Sequence, residues 1–259
     1  MLTIISPAKK LDYESPVAVK KHTQPIFLDA AGALIEELRT LTPPQVAELM
    51  GISEKLGDLN FGRYLNWQTP FTRDNARQAI LAFRGDVYQG LDADSLNEDD
   101  LTFAQDHLRI LSGLYGLLRP LDLMQPYRLE MGTAFANQRG RNLYEFWGNR
   151  ITDALNKALE KDAHPVLINL ASGEYFKSVN TDRLSAEIIT PVFKDWKGGK
   201  YKIISFFAKK ARGMMTGYII RNRIDDPELL KHFDGGGYQY NAAMSSAREW
   251  VFVRDSENP

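Results

Sequence analysis

The run Val166-Leu167-Ile168-Asn169-Leu170, which follows Pro165, is the strongest structural signal in the chain. Four of its five residues are apolar, and no regular alternation with polar side chains interrupts it. This pattern is typical of a strand that is covered on both faces. Such strands belong to sheets whose faces carry helices, so the run predicts an α/β or α+β fold with a buried central sheet.

Further strand signals lie on both sides of this run. They cover residues 2–5, 187–190, 202–207 and 250–253, and a Gly198-Gly199 turn precedes the third of them. Helical spacing of apolar residues predicts helices over 27–40, 143–160 and 208–222, whereas residues 72–84 fit either a helix or a strand. No repeat, linker or low-complexity segment divides the chain. We therefore expect one domain over residues 1–259, with a mixed sheet surrounded by helices.

The composition is that of an ordinary globular protein. The 259 residues are 44% hydrophobic and 25% charged, with a formal net charge of −1, which argues against disordered, collagenous and membrane classes. Cysteine is absent, so disulfides, thiolate metal sites, cysteine nucleophiles and thiol redox sensing are excluded. The apolar run at the N-terminus is too short for a signal peptide, and no segment approaches the roughly 18 apolar residues of a membrane span. We expect a cytoplasmic protein without a membrane partner.

The charges are unevenly placed along the chain. Residues 194–223 contain nine basic residues and one acidic residue, whereas residues 86–106 contain seven acidic and no basic residues. Blocks of opposite sign can give a molecule one positive surface, and basic residues beside aromatics and glycines can bind a phosphate backbone. The alternative is that the lysines only protect exposed strand edges, and that the acidic block is a solvated loop and helix start.

A second basic group contains Arg119 and Arg128, in a segment with two prolines. The planar guanidinium suits phosphate or carboxylate recognition, but an internal ion pair with Asp122 or Glu130 explains the same residues equally well. Glu130 is also a weak candidate for a general base.

Three lysines follow predicted strands. Lys9 and Lys10 come after the first strand, and Lys177 comes after the run at 166–170. Because α/β proteins bind ligands at the carboxyl ends of their strands, all three are candidates for one cleft; ordinary surface lysines are the alternative.

Residues 44–63 suggest two helices joined by a tight turn. Thr42 and Gln45 form a capping-box pattern, Gly51 ends the first helix, and Ser53 can cap a second helix that runs toward Trp67. A helix-hairpin-helix element could offer backbone amides, together with Lys55, to a DNA phosphate. A plain helical hairpin is the alternative.

Familiar cofactor and metal motifs are missing from the sequence. The four histidines are scattered, and no phosphate-binding loop, dinucleotide fingerprint or nucleophile elbow is present. We therefore expect no cofactor and no metal site.

Six blocks of the chain together resemble a known family. They are residues 5–13, beginning Ile5-Ser6-Pro7-Ala8-Lys9-Lys10, and residues 111–122, 125–132, 143–148, 168–177 and 206–213. Their identity and order are similar to those of the YaaA family of bacterial peroxide-stress resistance proteins, and the similarity spans essentially the whole chain. The resemblance implies a fold peculiar to that family, a positively charged cleft and a helix-hairpin-helix element. It also implies a DNA-binding protein connected with recombinational repair that limits iron-linked DNA damage.

The leading hypothesis is a protein that binds duplex, bubble or junction DNA during peroxide stress, without preference for the DNA sequence. The candidate phosphate-binding residues are Lys9, Lys10, Lys55, Arg119, Arg128, Lys177, Lys209, Lys210 and Arg212. The rival hypothesis is an enzyme acting on a nucleobase, nucleotide or DNA strand, with Glu130 as acid or base and Lys9 or Lys177 as nucleophile or phosphate clamp. A deeply buried lysine beside Glu130 would favour the enzyme, and an open basic groove would favour binding alone. Direct iron sequestration is the weakest of the three, because the sequence shows no clustered ligands.

Overall fold

A mixed sheet and ten α-helices form the part of the chain that the computed structural model describes, residues 1–255. The strands are β1 (Leu2–Ile5), β2 (Lys10–Leu11), β3 (Arg77–Gln78), β4 (Phe83–Arg84), β5 (Leu108–Ser112), β6 (Gly116–Leu118), β7 (Leu123–Met124), β8 (Val166–Leu170), β9 (Glu187–Trp196), β10 (Tyr201–Lys202), β11 (Gln239–Tyr240) and β12 (Glu249–Arg254). The α-helices are α1 (Leu28–Leu38), α2 (Pro43–Met50), α3 (Glu54–Asn66), α4 (Ala79–Ala82), α5 (Asp86–Leu91), α6 (Glu98–His107), α7 (Leu143–Trp147), α8 (Arg150–Leu159), α9 (Gly173–Phe176) and α10 (Ser205–Arg221). Short 3-10 helices cover Ala93–Ser95, Pro227–His232, Gly235–Gly237 and Ala242–Met244.

The main sheet has the strand order β11-β12-β9-β8-β1-β5-β6, with β10 paired to β9. Strands β12, β9, β8, β1 and β5 are parallel to one another, whereas β11, β10 and β6 pair antiparallel with β12, β9 and β5. Every residue of β8 is buried, as the apolar run predicted. The expectation of a single-domain α/β fold with a mixed central sheet surrounded by helices is confirmed.

The order of the strands creates a crevice at the carboxyl ends of two central strands of the sheet. The chain passes from β1 to its neighbour β5, then returns to form β8 on the opposite side of β1. Connections that leave on opposite sides of a strand in this way create an opening outside the carboxyl ends of the two strands between which the order reverses. In this sheet those strands are β1 and β8, and Ile5 is paired with Leu170 at their ends.

The capping signals at residues 42–53 are confirmed. The Thr42 amide donates to Gln45 Oε1 at 2.8 Å, and Gly51 adopts a left-handed φ of 60° that ends α2. The Ser53 hydroxyl then accepts a hydrogen bond from the Leu56 amide at the start of α3. A Cβ added to Gly57 would lie only 2.7 Å from the Pro43 carbonyl oxygen, so α2 and α3 pack closely. The two helices form a hairpin, and its use as a DNA-binding helix-hairpin-helix element stays a prediction.

The single helix predicted over 143–160 is wrong. The segment contains two helices, α7 and α8, because Gly148 adopts a φ of +51°, which is incompatible with continuing the helix.

The strand predicted over 202–207 is also wrong beyond its first residue. The Gly198-Gly199 turn joins β9 to β10 as expected, but β10 ends at Lys202 and α10 begins at Ser205. The helix is favoured because its small residues pack against α5. A Cβ on Gly213 would lie 1.8 Å from the Val87 carbonyl oxygen, so the two helices approach closely there.

The acidic block contains the helix start that the sequence suggested, and most of its carboxylates are exposed, but it is largely helical where a loop was also expected. It forms α5, a 3-10 turn and α6, and it packs against α10 and the residues that follow α10. Asp100, whose side chain is 9% exposed, pairs with Arg223 at 2.6 Å, and Arg221 donates to Ser95 Oγ at 2.7 Å. The two blocks of opposite charge therefore neutralise each other in part, and the positive surface is smaller than the sequence implied. None of the helices in residues 1–255 is both long and apolar enough to cross a membrane.

Candidate functional site

A cavity of about 480 Å³ opens outside the carboxyl ends of β1 and β8. It is therefore located in the crevice that the strand order creates. Its lining comes from five parts of the chain, which are the loop after β1, the segment from β4 to α5, residues 127–130, the end of β8 with the turn and helix α9 that follow it, and α10. The lining residues are Ser6, Pro7, Ala8, Lys9, Lys10, Arg84, Gly85, Asp86, Val87, Tyr127, Arg128, Leu129, Glu130, Leu170, Ser172, Glu174, Tyr175, Lys209 and Arg212.

Two serines join the strand ends at the cavity. The Ser172 amide donates to Ser6 Oγ at 2.9 Å, and the two hydroxyl oxygens are 3.3 Å apart. The Tyr88 hydroxyl donates to the Ser6 carbonyl at 3.2 Å, which fixes the loop after β1 to α5. These hydrogen bonds hold the turns after β1 and β8 together, so the side chains that follow them are positioned by the sheet.

Glu130 is held at the cavity by two cations. Lys9 Nζ lies 3.1 Å from Glu130 Oε1, and Arg128 reaches the same oxygen with Nε at 3.2 Å and with a terminal nitrogen at 3.1 Å. Within residues 1–255, Oε2 of Glu130 receives no hydrogen bond. Glu130 and Arg128 are each 16% exposed, whereas the Lys9 side chain is 67% exposed. The carboxylate is therefore fixed through one oxygen, and the other remains available as an acceptor.

The Tyr64 hydroxyl donates a hydrogen bond to the Arg128 carbonyl and so anchors the backbone of Arg128. Tyr64 is buried, and burial together with the negative charge of Glu130 raises the pKa of its phenol. The neutral phenol therefore keeps its proton for this hydrogen bond at all physiological pH values. Burial likewise raises the pKa of Tyr175, which lines the cavity.

Arg212 differs from the other cations of the cavity. Its side chain is partly buried on α10, and within the described chain its guanidinium makes neither a hydrogen bond nor an ion pair. Burial lowers the pKa of this guanidinium, which is the cost of holding a charge away from water. Lys209, one turn earlier on α10, is exposed and lines the same wall.

The lining has an excess of positive charge. Six lining residues are cationic and three are acidic, and Arg84 is paired with Asp12 and Asp94, which do not line the cavity, so two positive charges remain unbalanced. The cations are Lys9, Lys10, Arg84, Arg128, Lys209 and Arg212, and the acids are Asp86, Glu130 and Glu174. A concave surface of one dominant sign concentrates its field inside the cavity, so the arrangement attracts anions.

Most of the residues predicted to bind phosphate meet at this cavity. They are Lys9, Lys10, Arg128, Lys209 and Arg212, and the predicted acid–base candidate Glu130 lies among them. The sequence left open whether Arg128 recognises a phosphate or forms an internal ion pair. In the structure, Arg128 pairs with Glu130 and also lines the cavity.

Four other predicted residues do not line the cavity. Arg119 forms the internal ion pair that was the alternative, with its Nε 3.1 Å and a terminal nitrogen 2.9 Å from Asp122 Oδ1. The Lys177 ammonium lies 4.9 Å from the centre of the Tyr144 ring. Lys55 is exposed in the first turn of α3, and Lys210 is exposed on α10. A role for these residues in DNA binding stays a prediction.

Sequence reasoning missed Arg84, Ser6 and Ser172. Arg84 lies in the segment that fitted either a helix or a strand, and the short pair of β2 and β4 places it opposite Lys10. Asp12 and Asp94 hold its guanidinium at 3.2 and 3.1 Å. The two serines could have been found, because each lies within two residues of the carboxyl end of a predicted strand.

These features define an α/β protein with a cationic, ligand-sized cavity at the carboxyl edge of its sheet. A family model described as "Peroxide stress protein YaaA" matches residues 1–244. A UPF0246 protein of Cellvibrio japonicus is 64% identical over 255 residues, covering 98% of this chain and 99% of the relative. UPF0246 proteins of Teredinibacter turnerae and Colwellia psychrerythraea are 64% and 61% identical over 254 residues, with 98% of this chain and 99% of each relative covered. The chain belongs to the YaaA family of peroxide stress proteins, which confirms the resemblance seen in the six sequence blocks.

Proposed function

We propose that this protein binds DNA without sequence preference and that the cationic cavity contacts the phosphate backbone. The contacts are made by the rim of the cavity, which consists of Lys9, Lys10, Arg128, Lys209 and Arg212. The observation that carries the proposal is that cationic side chains from distant parts of the chain line the same cavity. Lys9 and Lys10 after β1, Arg128 before α7, and Lys209 and Arg212 on α10 are distant in sequence and meet at one opening. Cations that neutralise phosphates release condensed counterions, and this gain depends on the phosphates rather than on the bases.

The exposure of the cations suits a phosphate-binding rim. Lys9, Lys10 and Lys209 are exposed, so their ammonium groups can reach an extended ligand. Lysines act as mobile point charges, whereas Arg128 is held in place by Glu130 and, like Arg212, offers a planar guanidinium that can bind a phosphate in a defined geometry. The rim therefore combines mobile and fixed cations.

Within the cell, we propose that this binding protects DNA or supports its repair during peroxide stress and limits iron-linked damage. The family assignment supports the connection with peroxide. Because the chain contains no cysteine, it cannot sense peroxide through thiol chemistry, so it acts downstream of a separate sensor.

The experiment that tests the proposal compares two double variants by fluorescence anisotropy with duplex, bubble and junction DNA. Lys9→Ala with Lys209→Ala removes two exposed cations from the rim. Lys157→Ala with Lys161→Ala removes the same charge from exposed positions that do not line the cavity. We expect the rim variant to bind every DNA about tenfold more weakly, while the matched control changes affinity by no more than about twofold. Equal losses in the two variants would place the DNA footprint elsewhere.

A second candidate function is an enzyme that acts on a nucleobase, nucleotide or DNA strand in the same cavity. The observation in its favour is Glu130, whose Oε2 is available beside the cavity. Against it, Lys9 is largely exposed rather than buried beside Glu130, and Lys177 does not line the cavity. Analysis of the DNA after incubation separates the two functions. Altered DNA would establish the enzyme, and alteration that survives Glu130→Gln would remove Glu130 as the acid or base.

A further inference from the structure

We infer that the cavity accommodates one unpaired nucleotide, with its phosphate at Arg212 and a hydrogen-bond donor of the same nucleotide at Oε2 of Glu130. The inference rests on the proposed function, because the nucleotide is taken to belong to bound DNA. It goes further by naming what enters the cavity, as distinct from what contacts its rim.

The dimensions of the cavity favour a ligand of this size. Its volume of about 480 Å³ falls within the range of small-molecule sites, roughly 300–1,000 Å³. A nucleotide fits such a volume, whereas a base pair within a double helix does not. Its lining also combines apolar side chains and tyrosines, such as Val87, Leu129 and Tyr175, with the charged groups. A mixed surface of this kind suits a base and a phosphate together.

Arg212 supplies the anion site. Arg212 is partly buried, which is costly for a charged group unless a partner compensates it, and Arg212 has no such partner among the described residues. The backbone that carries Arg212 is held in place, because α10 is packed against α5 at Gly213 with no room for a Cβ. An unpaired guanidinium on a fixed stretch of helix beside a cavity is suited to bidentate binding of a phosphate.

Glu130 supplies a hydrogen-bond acceptor, which sets a second requirement for the ligand. A carboxylate accepts hydrogen bonds and repels anions, so a ligand that consisted of phosphate alone would gain nothing from Oε2. Lys9 and Arg128 both contact Oε1, which leaves Oε2 for a donor carried by the ligand. The occupant must therefore carry an anion and an N–H or O–H donor in one small molecule or unit.

Among the parts of DNA, this combination describes a nucleotide outside a base pair. The internal phosphodiester has no donor, and the donors on the Watson–Crick edges are engaged when the bases are paired. An unpaired or extruded nucleotide offers its phosphate and its base donors at the same time. The chemistry is shared by a free nucleoside monophosphate, and the two sources are distinguished by the experiment.

The test uses the full chain and DNA that contains 2-aminopurine, whose fluorescence reports loss of stacking. One DNA carries the probe inside a bubble, and another carries it in a paired position. Deoxynucleoside 5′-monophosphates are titrated separately by calorimetry. Three proteins are compared with the wild type: Glu130→Gln, Arg212→Met and the control Lys157→Ala.

For the wild type, we expect a severalfold change in 2-aminopurine fluorescence with the bubble DNA. Glu130→Gln should reduce that response about tenfold at matched occupancy, as expected when one hydrogen bond to a charged group is lost. Its total affinity for DNA should stay equal or rise, because a negative charge has been removed from a cationic cavity. Arg212→Met should lower both the response and the affinity. Its melting temperature without ligand should be equal or higher, since an unpaired charge has been removed from the cavity wall.

The outcomes separate the inference from the proposed function. DNA binding without a probe response, or a response that Glu130→Gln leaves intact, would overturn the nucleotide site and leave the DNA-binding proposal standing. Binding of free monophosphates that is lost in both variants, without binding of DNA, would support the nucleotide site and overturn the DNA-binding proposal. Failure to bind either ligand would overturn both. A loss of folding in Arg212→Met would overturn the claim that Arg212 is unpaired for ligand binding.

Discussion

Replacing Gly213 by alanine tests the close packing that carries Arg212 and Lys209 into the cavity wall. A Cβ at this position would lie 1.8 Å from the Val87 carbonyl oxygen and 2.8 Å from the Leu91 amide nitrogen. Ordinary contact requires about 3.4 Å, so α5 and α10 must separate by about 1.5 Å to admit one methyl group. Overpacking against a rigid backbone costs about 3 kcal/mol, which lowers the melting temperature of a domain of this size by about 5–10 °C.

The assay is denaturation by heat and by urea, with Gly62→Ala as the matched control. Gly62 lies in the interior of α3, and a Cβ there meets no atom within 4 Å. The control should gain about 0.5–1 kcal/mol, because alanine loses less conformational entropy than glycine in a helix. The Gly213 variant should also bind DNA more weakly, since Arg212 moves with α10. If Gly213→Ala is as stable as the control, the account of how the two helices position the cavity wall is refuted.

Two further substitutions test charged groups beside the site. Hydrogen bonds from Ser15 and Glu14, together with the nearby charge of Arg77, hold the pKa of Asp12 well below its usual range, so its contribution to stability is complete above about pH 4 and is lost as the pH falls through the lowered value. Asp12→Asn should therefore cost about 2 kcal/mol at pH 7 and less at pH 3 in urea denaturation, and an equal cost at both would contradict the assignment. Arg119→Ala leaves the fully buried Asp122 without its cation, so the variant should lose about 3 kcal/mol of stability. Its DNA affinity should stay within about twofold, and a large loss would return Arg119 to the phosphate-binding set.

The parts of the fold that the sequence predicted correctly depend on local rules. The capping box at Thr42, the left-handed residue at Gly51 and the cap at Ser53 each act within a few residues, so the sequence alone determines them. Strand β8 was equally clear, because a buried strand needs only an unbroken apolar run.

The error at residues 143–160 arose at Gly148, whose local conformation ends α7, whereas the error at residues 202–207 arose where distant packing decided the structure. Residues 202–207 have strand-like composition, but α10 begins at Ser205 because its small residues fit against α5, which no local pattern reveals. The lining of the cavity, too, could be predicted only in part from the sequence. Most of its lysines and arginines were identified as basic residues, and the ion pair of Arg119 with Asp122 was one of two interpretations. Yet only the tertiary structure shows that Lys9 and Arg212 line one cavity and that Arg119 does not.

The dependence of DNA binding on salt tests the central claim most directly. With four to six phosphates neutralised, the logarithm of affinity should fall against the logarithm of salt concentration with a slope of about −4 to −5. The slope should be alike for unrelated duplex sequences and should become shallower by about 2 in the variant that lacks Lys9 and Lys209. A slope near zero, or the same slope in that variant, would contradict binding of the DNA backbone by this cavity.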